Sequence, residues 1–413
     1  MKDNAFKDVD VSTPALVLKC VEDSHIGLGA ARSLGRLGVP VYGIGGSLHI
    51  PSATSRYFRE TFIHELKSST SEEEIVDFII TVAKKIGKAV PLLTVDTFAC
   101  IFAKYGHVLK EFFFMPEVDP DMVPNLSNKW EMQLIAEKHG VPTARAVAPK
   151  TKPEVEEFSK TARFPLVFKA SEWTDIETRP SQRMVIVHNF EELVSQCDVY
   201  QQEECPHVLL QEYISGEGTQ DWIFNGYFDE HSNCLISFTG KKVRQAPVRT
   251  GYASLGECRR NQAIESISRK FLREIGYKGP VDIDFRYDPR DGLYKILDVN
   301  ARIGASFRLF VGENGLDVVR AMYLDRTGQQ VPSDQQVEGR KWFVEDRDFR
   351  SSYTYFRENS LSMRDWVTSF AGVQEAAWFA LDDPGPFLIQ FSHILLKKIK
   401  AFTGRAHRLF LFN

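Results

Sequence analysis

The sequence lacks a cysteine framework, a long apolar run and a strong charge of one sign. Its 413 residues include six cysteines that are scattered without a CxxC spacing, which argues against a zinc site or a disulfide scaffold and favours a reducing compartment. No signal-like region opens the chain, and no run approaches the roughly 18 apolar residues of a membrane span. A formal net charge of −4 gives no sign of nucleic-acid binding. We therefore expect a cytoplasmic protein with no nucleic-acid partner.

Motifs for nucleophilic or redox catalysis are also missing. The ten histidines show no metal-ligand spacing, and no Ser/His/Asp or Cys/His arrangement stands out. His25, near the first βα turn, is interpreted as a capping or solvated residue. The stretch GLGAAR offers Gly27 and Gly29 but has Arg32 where a dinucleotide-binding loop needs its third glycine. We interpret it as a place of close helix packing, and an oxidoreductase built on this unit is disfavoured.

The first part of the chain alternates strand and helix. Residues 14–45 contain the apolar run PALVLKC, a helix with apolar spacing that ends at Gly38, and the strand VPVYGIGG. A helix over residues 71–87 and the strand PLLTVD follow. This βαβ pattern predicts a parallel α/β domain over residues 1–125.

At residue 126 the pattern restarts as an α+β unit. LSNKWEMQLIAEKHG predicts a helix capped by Ser127 or Asn128 and ended by Gly140, and apolar strands and hairpins follow it. We place this second domain at residues 126–330, with subdomains over about 126–205 and 206–330. The predicted class is thus multidomain, α/β followed by α+β with antiparallel sheets.

Residues 331–413 form a C-terminal extension whose last thirty residues contain no aspartate or glutamate. After Asp383 the sequence has no acidic residue, and a basic amphipathic helix is predicted. The helix either docks by its apolar face on its own domain, which we favour, or lies on an anionic membrane surface. Its basic residues are Lys397, Lys398, Lys400, Arg405 and Arg408.

The stretch VDIDFRYDPRDGLYKILDVNARIG, residues 281–304, predicts a hairpin with acids on one face. Folding about position 291 sets Asp284 opposite Asp298 and Asp282 opposite Asn300. With a period of two, Ile296 is expected on the same face as Asp298. Like charges in direct opposition destabilise a strand pair, so we expect a positive charge between them, such as a hard divalent cation. A solvated polar edge remains the alternative.

Other charged residues of the second domain stand at the ends of predicted elements. A lysine that ends an apolar strand, as Lys169 does, is costly unless its charge is matched. A nucleoside triphosphate needs lysines for its phosphates, a hinge for its base and acids for ribose and magnesium. The residues in this order are Lys129, Lys169, Gln211, Glu212, Glu217, Lys241, Lys242, Arg244, Asp284, Asp298, Asn300 and Arg302.

Residues 126–305 resemble an ATP-grasp domain. The pieces that carry the resemblance are NKWEMQLIAEKHGVPTA, PLVFKA, VLLQEYISGEG, FTGKKVRQAP, GPVDIDFRYD and KILDVNARIG, of which DVNAR is the most specific. RSLGRLGVPVYGIG, ATSRYF and WFALDDPGPFL resemble the carboxylate–amine ligase subgroup that includes D-aspartate ligases. The resemblance implies a pre-ATP-grasp parallel α/β domain followed by a two-subdomain ATP-grasp fold with antiparallel sheets.

The resemblance also implies roles for individual residues. ATP is the implied co-substrate and Mg²⁺ or Mn²⁺ the implied cofactor. Arg302 would steady the transferred phosphate, with Lys241 and Arg244 as further catalytic residues. Asp284, Asp298 and Asn300 would bind the metal ion. The implied ATP-binding residues are Lys129 and Lys169 for the phosphates, Gln211, Glu212, Tyr213 and Ile214 for adenine, and Glu217 or Asp221 for ribose.

The implied reaction activates a carboxylate as an acyl phosphate and joins it to an amine. Small carboxylates and amines, amino acids among them, are the implied partners. A homodimer is compatible with the resemblance, although the sequence does not determine the oligomeric state. One departure is the segment SEWTDIETRPSQR after Lys169, which has no glycine where the family has a glycine-rich phosphate lid. An ATP-binding module without ligase activity is therefore the alternative.

Overall fold

The computed structural model describes residues 6–20, 25–47, 49–64, 70–170, 184–201, 208–215 and 220–396. Within these ranges the strands are β1 (Ala15–Cys20), β2 (Val41–Gly45), β3 (Phe58–Ile63), β4 (Val90–Leu93), β5 (Ala146–Val147), β6 (Leu166–Ala170), β7 (Met184–Val187), β8 (Val208–Glu212), β9 (Asp221–Phe228), β10 (Cys234–Ala246), β11 (Tyr252–Cys258), β12 (Gly279–Asp288), β13 (Leu293–Asn300), β14 (Lys341–Phe343) and β15 (Val373–Ala376).

The helices in the same ranges cover most of the connections between strands. They are α1 (Ile26–Gly35), α2 (Glu72–Ile86), α3 (Asp96–Lys104), α4 (Gly106–Leu109), α5 (Met122–Ser127), α6 (Lys129–Lys138), α7 (Lys152–Thr161), α8 (Phe190–Gln201), α9 (Gln262–Glu274), α10 (Val318–Arg326), α11 (Glu345–Arg357) and α12 (Met363–Ser369). A further helix, which we call the C-terminal helix, spans residues 385–396.

The first domain contains a parallel sheet, as the sequence predicts. Its strand order is β3-β2-β1-β4, and every pairing is parallel. Buried aliphatic residues of β1 face α1 and α2, and α2 begins at a capping box formed by Ser71 and Glu74. The chain runs outward from β1 through β2 to β3 and returns to β4 on the other side. Ligands of open α/β sheets bind at such a reversal, beside the carboxyl ends of the strands.

The remaining strands of the described structure form two mainly antiparallel sheets. The smaller has the order β5-β8-β6-β7, so β8 completes it and the predicted division at residue 205 falls one strand early. The larger has the order β13-β12-β9-β10-β11-β14-β15. Its last two strands come from beyond residue 330, so the C-terminal extension is part of this sheet rather than an appendage to it.

A continuous core joins the first domain to the larger sheet. It includes Val17 and Leu34 from the first domain, Phe307 from the loop after β13, and Trp342 and Trp378 from the C-terminal extension. Gly29 explains part of this contact, because a Cβ atom there would lie 2.9 Å from Arg308 Cγ and 3.1 Å from the Phe307 ring. The GLGAAR stretch is therefore a site of close packing.

The C-terminal helix packs on its own domain through one face. Pro386 is buried, and Gln390 Nε2 donates to Asp346 Oδ2 at 3.2 Å. The basic residues Lys397, Lys398, Lys400, Arg405 and Arg408 lie outside the described residues. Of the helices in the described ranges, none combines the length and the apolar character needed to cross a membrane.

Candidate active site

A cleft lies between the smaller and the larger sheet. It encloses about 770 Å³, part of it open to solvent, and charged side chains converge on it from both sheets. This position between two sheets, with charged groups on both walls, suits a nucleotide. The lining residues include Lys129, Lys169, Gln211, Glu212, Tyr213, Ile214, Asp221, Lys242, Gln245, Arg249, Asp284, Arg286 and Asp298.

The β12–β13 hairpin places two carboxylates in the cleft. Asp284 pairs with Asp298 across the hairpin, and Asp282 pairs with Asn300, which is the register that the sequence predicts. A bulge beside Asp298 changes the alternation on β13. Ile296, expected on the same face as Asp298, is instead buried in the core, and Leu297 lines the cleft.

Each acid of the opposed pair already has a lysine partner. Lys242 Nζ lies 2.8 Å from Asp284 Oδ2, and Lys129 Nζ lies 3.3 Å from Asp298 Oδ1. Burial raises the pKa of Asp284 despite Lys242. Burial would also raise the pKa of Asp298, but the charges of Lys129 and Lys169 outweigh it and lower that pKa. The expected positive charge is thus supplied by the protein in the absence of a ligand.

The donor set fits a hard cation that shares its coordination with a ligand. Among the described residues, no group of three or more His, Cys, Asp and Glu side chains could hold a metal by itself. Two carboxylates, Asp284 and Asp298, and the amide of Asn300 are oxygen donors on adjacent strands. Magnesium commonly uses one or two carboxylates and takes its other oxygens from water and substrate phosphates.

Lys169 occupies the end of β6 with its ammonium buried in the cleft wall. Its Nζ donates to Gln211 Oε1 at 2.9 Å, and Gln211 Nε2 donates to Gln133 Oε1 at 3.2 Å. Burial, and to a smaller extent the charge of Lys129, lower the pKa of Lys169 to about 7. Among the residues that the structure describes, no carboxylate is in hydrogen-bond contact with this lysine, so an anion in the cleft would be a suitable counter-charge.

The residues predicted to hold adenine, 211–214, line the cleft, and Glu212, Tyr213 and Ile214 already contact other residues of the protein. The Glu212 carboxylate accepts from the Arg163 backbone N–H at 3.0 Å and from Arg290 Nη1 at 3.3 Å. The Tyr213 ring lies 5.7 Å from the Arg286 guanidinium carbon, and the Ile214 carbonyl accepts from Arg286 at 3.2 Å. Glu212 is therefore oriented by the protein, and Arg286 fixes the segment that follows it.

Asp221 lines the cleft, but its carboxylate already holds two side chains. Arg286 Nε lies 2.6 Å from Asp221 Oδ1, and Gln245 Nε2 donates to Asp221 Oδ2 at 2.5 Å. The geometry makes Asp221 an anchor for Arg286 at the base of the cleft. Glu217, the other residue predicted to contact ribose, lies outside the described residues, as does the glycine-poor segment 171–183.

Two predicted catalytic residues lie outside the cleft, which corrects the sequence-based assignment. Lys241 points to the opposite face of β10, where its Nζ lies 4.8 Å from the centroid of the Trp222 ring. Arg244 is displaced by a bulge and forms two hydrogen bonds, of 2.8 and 3.0 Å, with Asp348 of α11. Lys242 and Gln245 face the cleft in their place.

Arg302 lies two residues beyond β13 and contacts the first domain. Its Nε and Nη2 donate to the two carboxylate oxygens of Asp96 at 2.8 and 3.1 Å. The same Nη2 lies 2.8 Å from Asn300 Oδ1. Asp96 begins α3, at the carboxyl end of the parallel sheet. Arg302 thus connects the crevice of the first domain to the proposed metal-ligand strand.

Sequence reasoning missed Arg286, Gln245 and the turn over residues 249–251 as parts of the cleft. Arg286 could have been predicted from the sequence, since it lies on the same face of β12 as Asp282 and Asp284 in the period-two pattern. Gln245 could not, because it reaches the cleft only through the bulge at Arg244. The turn is fixed by backbone contacts that no side-chain pattern records.

A second cavity lies between the first domain and the larger sheet. It encloses about 630 Å³, and its walls are mostly apolar. Arg302 forms part of one wall. The opposed acids and the lysines of the cleft do not line it, so it lacks the groups that a nucleotide phosphate needs. Other lining residues are Phe102, Phe114, Met115, Tyr227, Tyr277 and Met322.

Comparisons with known proteins agree with this geometry. Residues 128–331 match the family described as carbamoyl-phosphate synthase L chain, ATP binding domain. The D-aspartate ligase of Enterococcus faecium (strain Aus0004) is 24% identical over 291 residues, which are 66% of this chain and 68% of that protein.

Solved structures show the same fold at low identity. The L-amino acid ligase of Bacillus licheniformis superposes with a TM-score of 0.58 and 15% identity, covering 79% of this chain and 75% of that one. The biotin carboxylase domain of the Hydrogenobacter thermophilus 2-oxoglutarate carboxylase, in complex with MgADP, ADP and bicarbonate, gives a TM-score of 0.57 and 19% identity, covering 79% and 72%.

Proposed function

Because the chain belongs to the ATP-grasp superfamily, through its domain over residues 128–331, we propose that it is an ATP-dependent carboxylate–amine ligase. It would activate a carboxylate as an acyl phosphate, join it to an amine and release ADP and phosphate. The observation that carries this proposal is the opposed pair of Asp284 and Asp298, each with a lysine partner, in a cleft between two sheets.

Amino acids are the substrates that we propose to test first. The relatives include a D-aspartate ligase and an L-amino acid ligase. The crevice at the carboxyl ends of β1 and β4, where Asp96 holds Arg302, is the place where the first domain would present such a substrate.

In this proposal the chain binds ATP through charges that already converge on the cleft. Lys129, Lys169 and Lys242 would contact the phosphates, and residues 211–214 would hold the adenine. Asp284, Asp298 and Asn300 would hold Mg²⁺ or Mn²⁺, which neutralises phosphate charge when bound. Catalysis by such a site consists of positioning and charge stabilisation, and it needs no covalent protein nucleophile.

In each of the two chemical steps a nucleophile forms one bond while the bond to a leaving group breaks. A carboxylate oxygen forms a bond to the γ-phosphorus while the bond to the ADP oxygen breaks. The amine nitrogen then bonds to the acyl carbon, the phosphate leaves with the former carboxylate oxygen, and the nitrogen gives up a proton. Arg302 would stabilise negative charge on the transferring group, and its hydrogen bonds to Asp96 and Asn300 would keep its guanidinium in place.

The experiment is a screen for ADP release across pairs of amino acids and small carboxylic acids, followed by oxygen-isotope transfer. With a carboxylate labelled by ¹⁸O, one labelled oxygen should appear in the released phosphate, as an acyl phosphate requires. Asp298→Asn serves as the inactive control. Nucleotide binding without ADP release from any pair would support the alternative, a nucleotide-binding module, for which the glycine-poor segment after Lys169 is the argument.

A further inference from the structure

The second cavity, between the first domain and the larger sheet, is lined by aromatic rings and methionines. Phe102 of α3, Phe114 from the segment after α4 and Tyr277 from the segment before β12 contribute to its walls, as do Met115 and Met322. Aromatic rings pack well against the edges of other rings and against methionine sulfur. The apolar part of the cavity therefore suits a ligand that carries an aromatic ring.

Two cations that line the same cavity are held by one carboxylate. Lys278 Nζ lies 2.7 Å from Glu230 Oε1, and Arg326 Nη1 lies 2.9 Å from Glu230 Oε2. Because both side chains bind Glu230, their charged groups lie close to each other. The side chains of Lys278 and Arg326 are only 23% and 9% exposed, so water screens their charges less than it would on an open surface.

The acids that hold these two cations do not line the cavity. Glu230 and Asp325 bind them from outside its walls, and among the described residues the lining contains no aspartate or glutamate. The same contacts leave hydrogen-bond donors to spare. Lys278 uses two of its three N–H groups and Arg326 three of its five on partners in the described part of the chain. An oxyanion is the group that suits such donors.

We propose that the second cavity binds a small aromatic carboxylic acid, with its ring against Phe102 and Tyr277 and its carboxylate at Lys278 and Arg326. The ring leaves water for an apolar wall, and the carboxylate accepts charge-assisted hydrogen bonds. An amine of the same shape would be repelled by both cations. The inference is independent of the proposed ligase activity, because the second cavity and the nucleotide cleft share no lining residue.

Ligand-observed NMR on the full chain tests the proposal with three probes of similar shape, which are phenylacetate, its neutral amide phenylacetamide and the cation phenethylamine. We expect phenylacetate to bind about tenfold or more tighter than phenylacetamide, because only its carboxylate is charged. Phenethylamine should bind more weakly still. Saturating ATP should not displace phenylacetate, since the cleft is a separate site.

Two variants separate the contribution of charge from that of the apolar walls. Lys278→Met should weaken phenylacetate binding about tenfold and leave phenylacetamide binding unchanged. Lys270→Met, which removes a 72% exposed lysine of α9 outside the cavity, is the matched control and should change neither affinity. Ala103→Leu should weaken the binding of both ligands about tenfold, because the added carbons occupy the space for the ring.

Thermal melts establish that each variant is folded, and Lys278→Met decides the result by itself if Ala103→Leu unfolds early. Any one of three results would overturn the proposal. They are no binding of phenylacetate to the wild-type protein at about 10 mM, equal phenylacetate affinity of the wild-type protein and Lys278→Met, and displacement of phenylacetate by ATP.

Discussion

Asp96 and Arg302 join the first domain to the end of the acid-bearing hairpin through two hydrogen bonds of 2.8 and 3.1 Å. Arg302 also donates to Asn300 Oδ1, the atom of Asn300 that would face a cation. Asp96 therefore orients the Arg302 guanidinium, which contacts Asn300 on the strand that carries the proposed metal ligands.

Asp96→Asn should slow turnover while nucleotide binding stays intact. The amide has one acceptor oxygen in place of two, so Arg302 loses its paired contact and its fixed position. We expect kcat to fall about tenfold or more, as for other misplaced catalytic groups, with little change in the Kd for ATP. ADP release and calorimetry measure the two quantities. Asp77→Asn, an exposed acid of α2 in the same domain, is the control. A change confined to nucleotide affinity would contradict the positioning role.

Lys169 should bind a proton when ATP binds. Its lowered pKa of about 7 leaves it mostly neutral at about pH 8, and phosphates beside it would raise that pKa. Calorimetry in buffers of different ionisation enthalpy should show net proton uptake at about pH 8 in the wild-type protein. Lys169→Met should abolish the uptake and weaken binding. Equal proton uptake by both proteins would remove Lys169 from the phosphate site.

The same shift makes the stability of the ligand-free protein depend on pH. Between pH 7 and 10.5 the unfolded lysine keeps a proton that the folded one has lost. The unfolded state then binds more protons, so the contribution of Lys169 to the free energy of unfolding rises with pH through this window. Chemical denaturation should show this rise in the free energy of unfolding of the wild-type protein between pH 7 and 10.5, and the rise should be missing in Lys169→Met. An identical pH profile of the two proteins would contradict the lowered pKa.

Neighbouring lysines on β10 provide an internal comparison. Lys242 faces Asp284 and the cleft, whereas Lys241 lies over Trp222 on the other face. Lys242→Met should weaken ATP binding about tenfold or more, since it removes a charge-assisted contact. It should also lower stability, because the buried Asp284 carboxyl would lose the lysine that compensates its charge. Lys241→Met should change neither quantity greatly. The reverse result in a nucleotide titration would restore the sequence-based assignment of Lys241.

The turn before β11 should not accept a side chain at Gly251. A Cβ atom there would lie 2.1 Å from the Ala246 carbonyl group, and the Gly251 carbonyl accepts from Lys242 at 3.3 Å. Gly251→Ala should therefore cost about 1–3 kcal/mol of stability and weaken ATP binding, because the cleft wall must move. Gly46→Ala, with nothing within 4 Å of its Cβ, is the control. Thermal melts and nucleotide titrations compare them, and equal behaviour would show that the turn adapts.

Much of the cleft could be predicted because its residues follow simple alternation. The parallel sheet, the pairing of Asp284 with Asp298 and the strand end at Lys169 follow from apolar runs and turn residues that favour the observed arrangement. Two of the errors lie beside bulges: the orientation of Ile296 and Leu297 on β13, and the replacement of Arg244 by Gln245 in the cleft. A bulge adds one residue to a strand and reverses which side chains face inward, and it leaves no clear mark in composition.

Long-range partners were the other unpredictable feature. The contact of Asp96 with Arg302 and that of Arg244 with Asp348 join residues more than one hundred positions apart. Polar patterns show that such residues need partners but not which ones. The two strands that the C-terminal extension adds to the larger sheet were also missed, since both are short and β14 joins the sheet by pairing with β11, far earlier in the chain.

Asp298 offers the most direct test of the proposed metal site, through the effect of Mg²⁺ on ATP affinity. Calorimetry of the wild-type protein and Asp298→Asn, with and without Mg²⁺, makes the comparison. We expect Mg²⁺ to tighten ATP binding in the wild-type protein only, and Asp298→Asn to lose turnover by about a hundredfold or more while it still binds the metal-free nucleotide. If Mg²⁺ tightens ATP binding equally in both proteins, the metal is held elsewhere and the opposed acids of the hairpin are not its ligands.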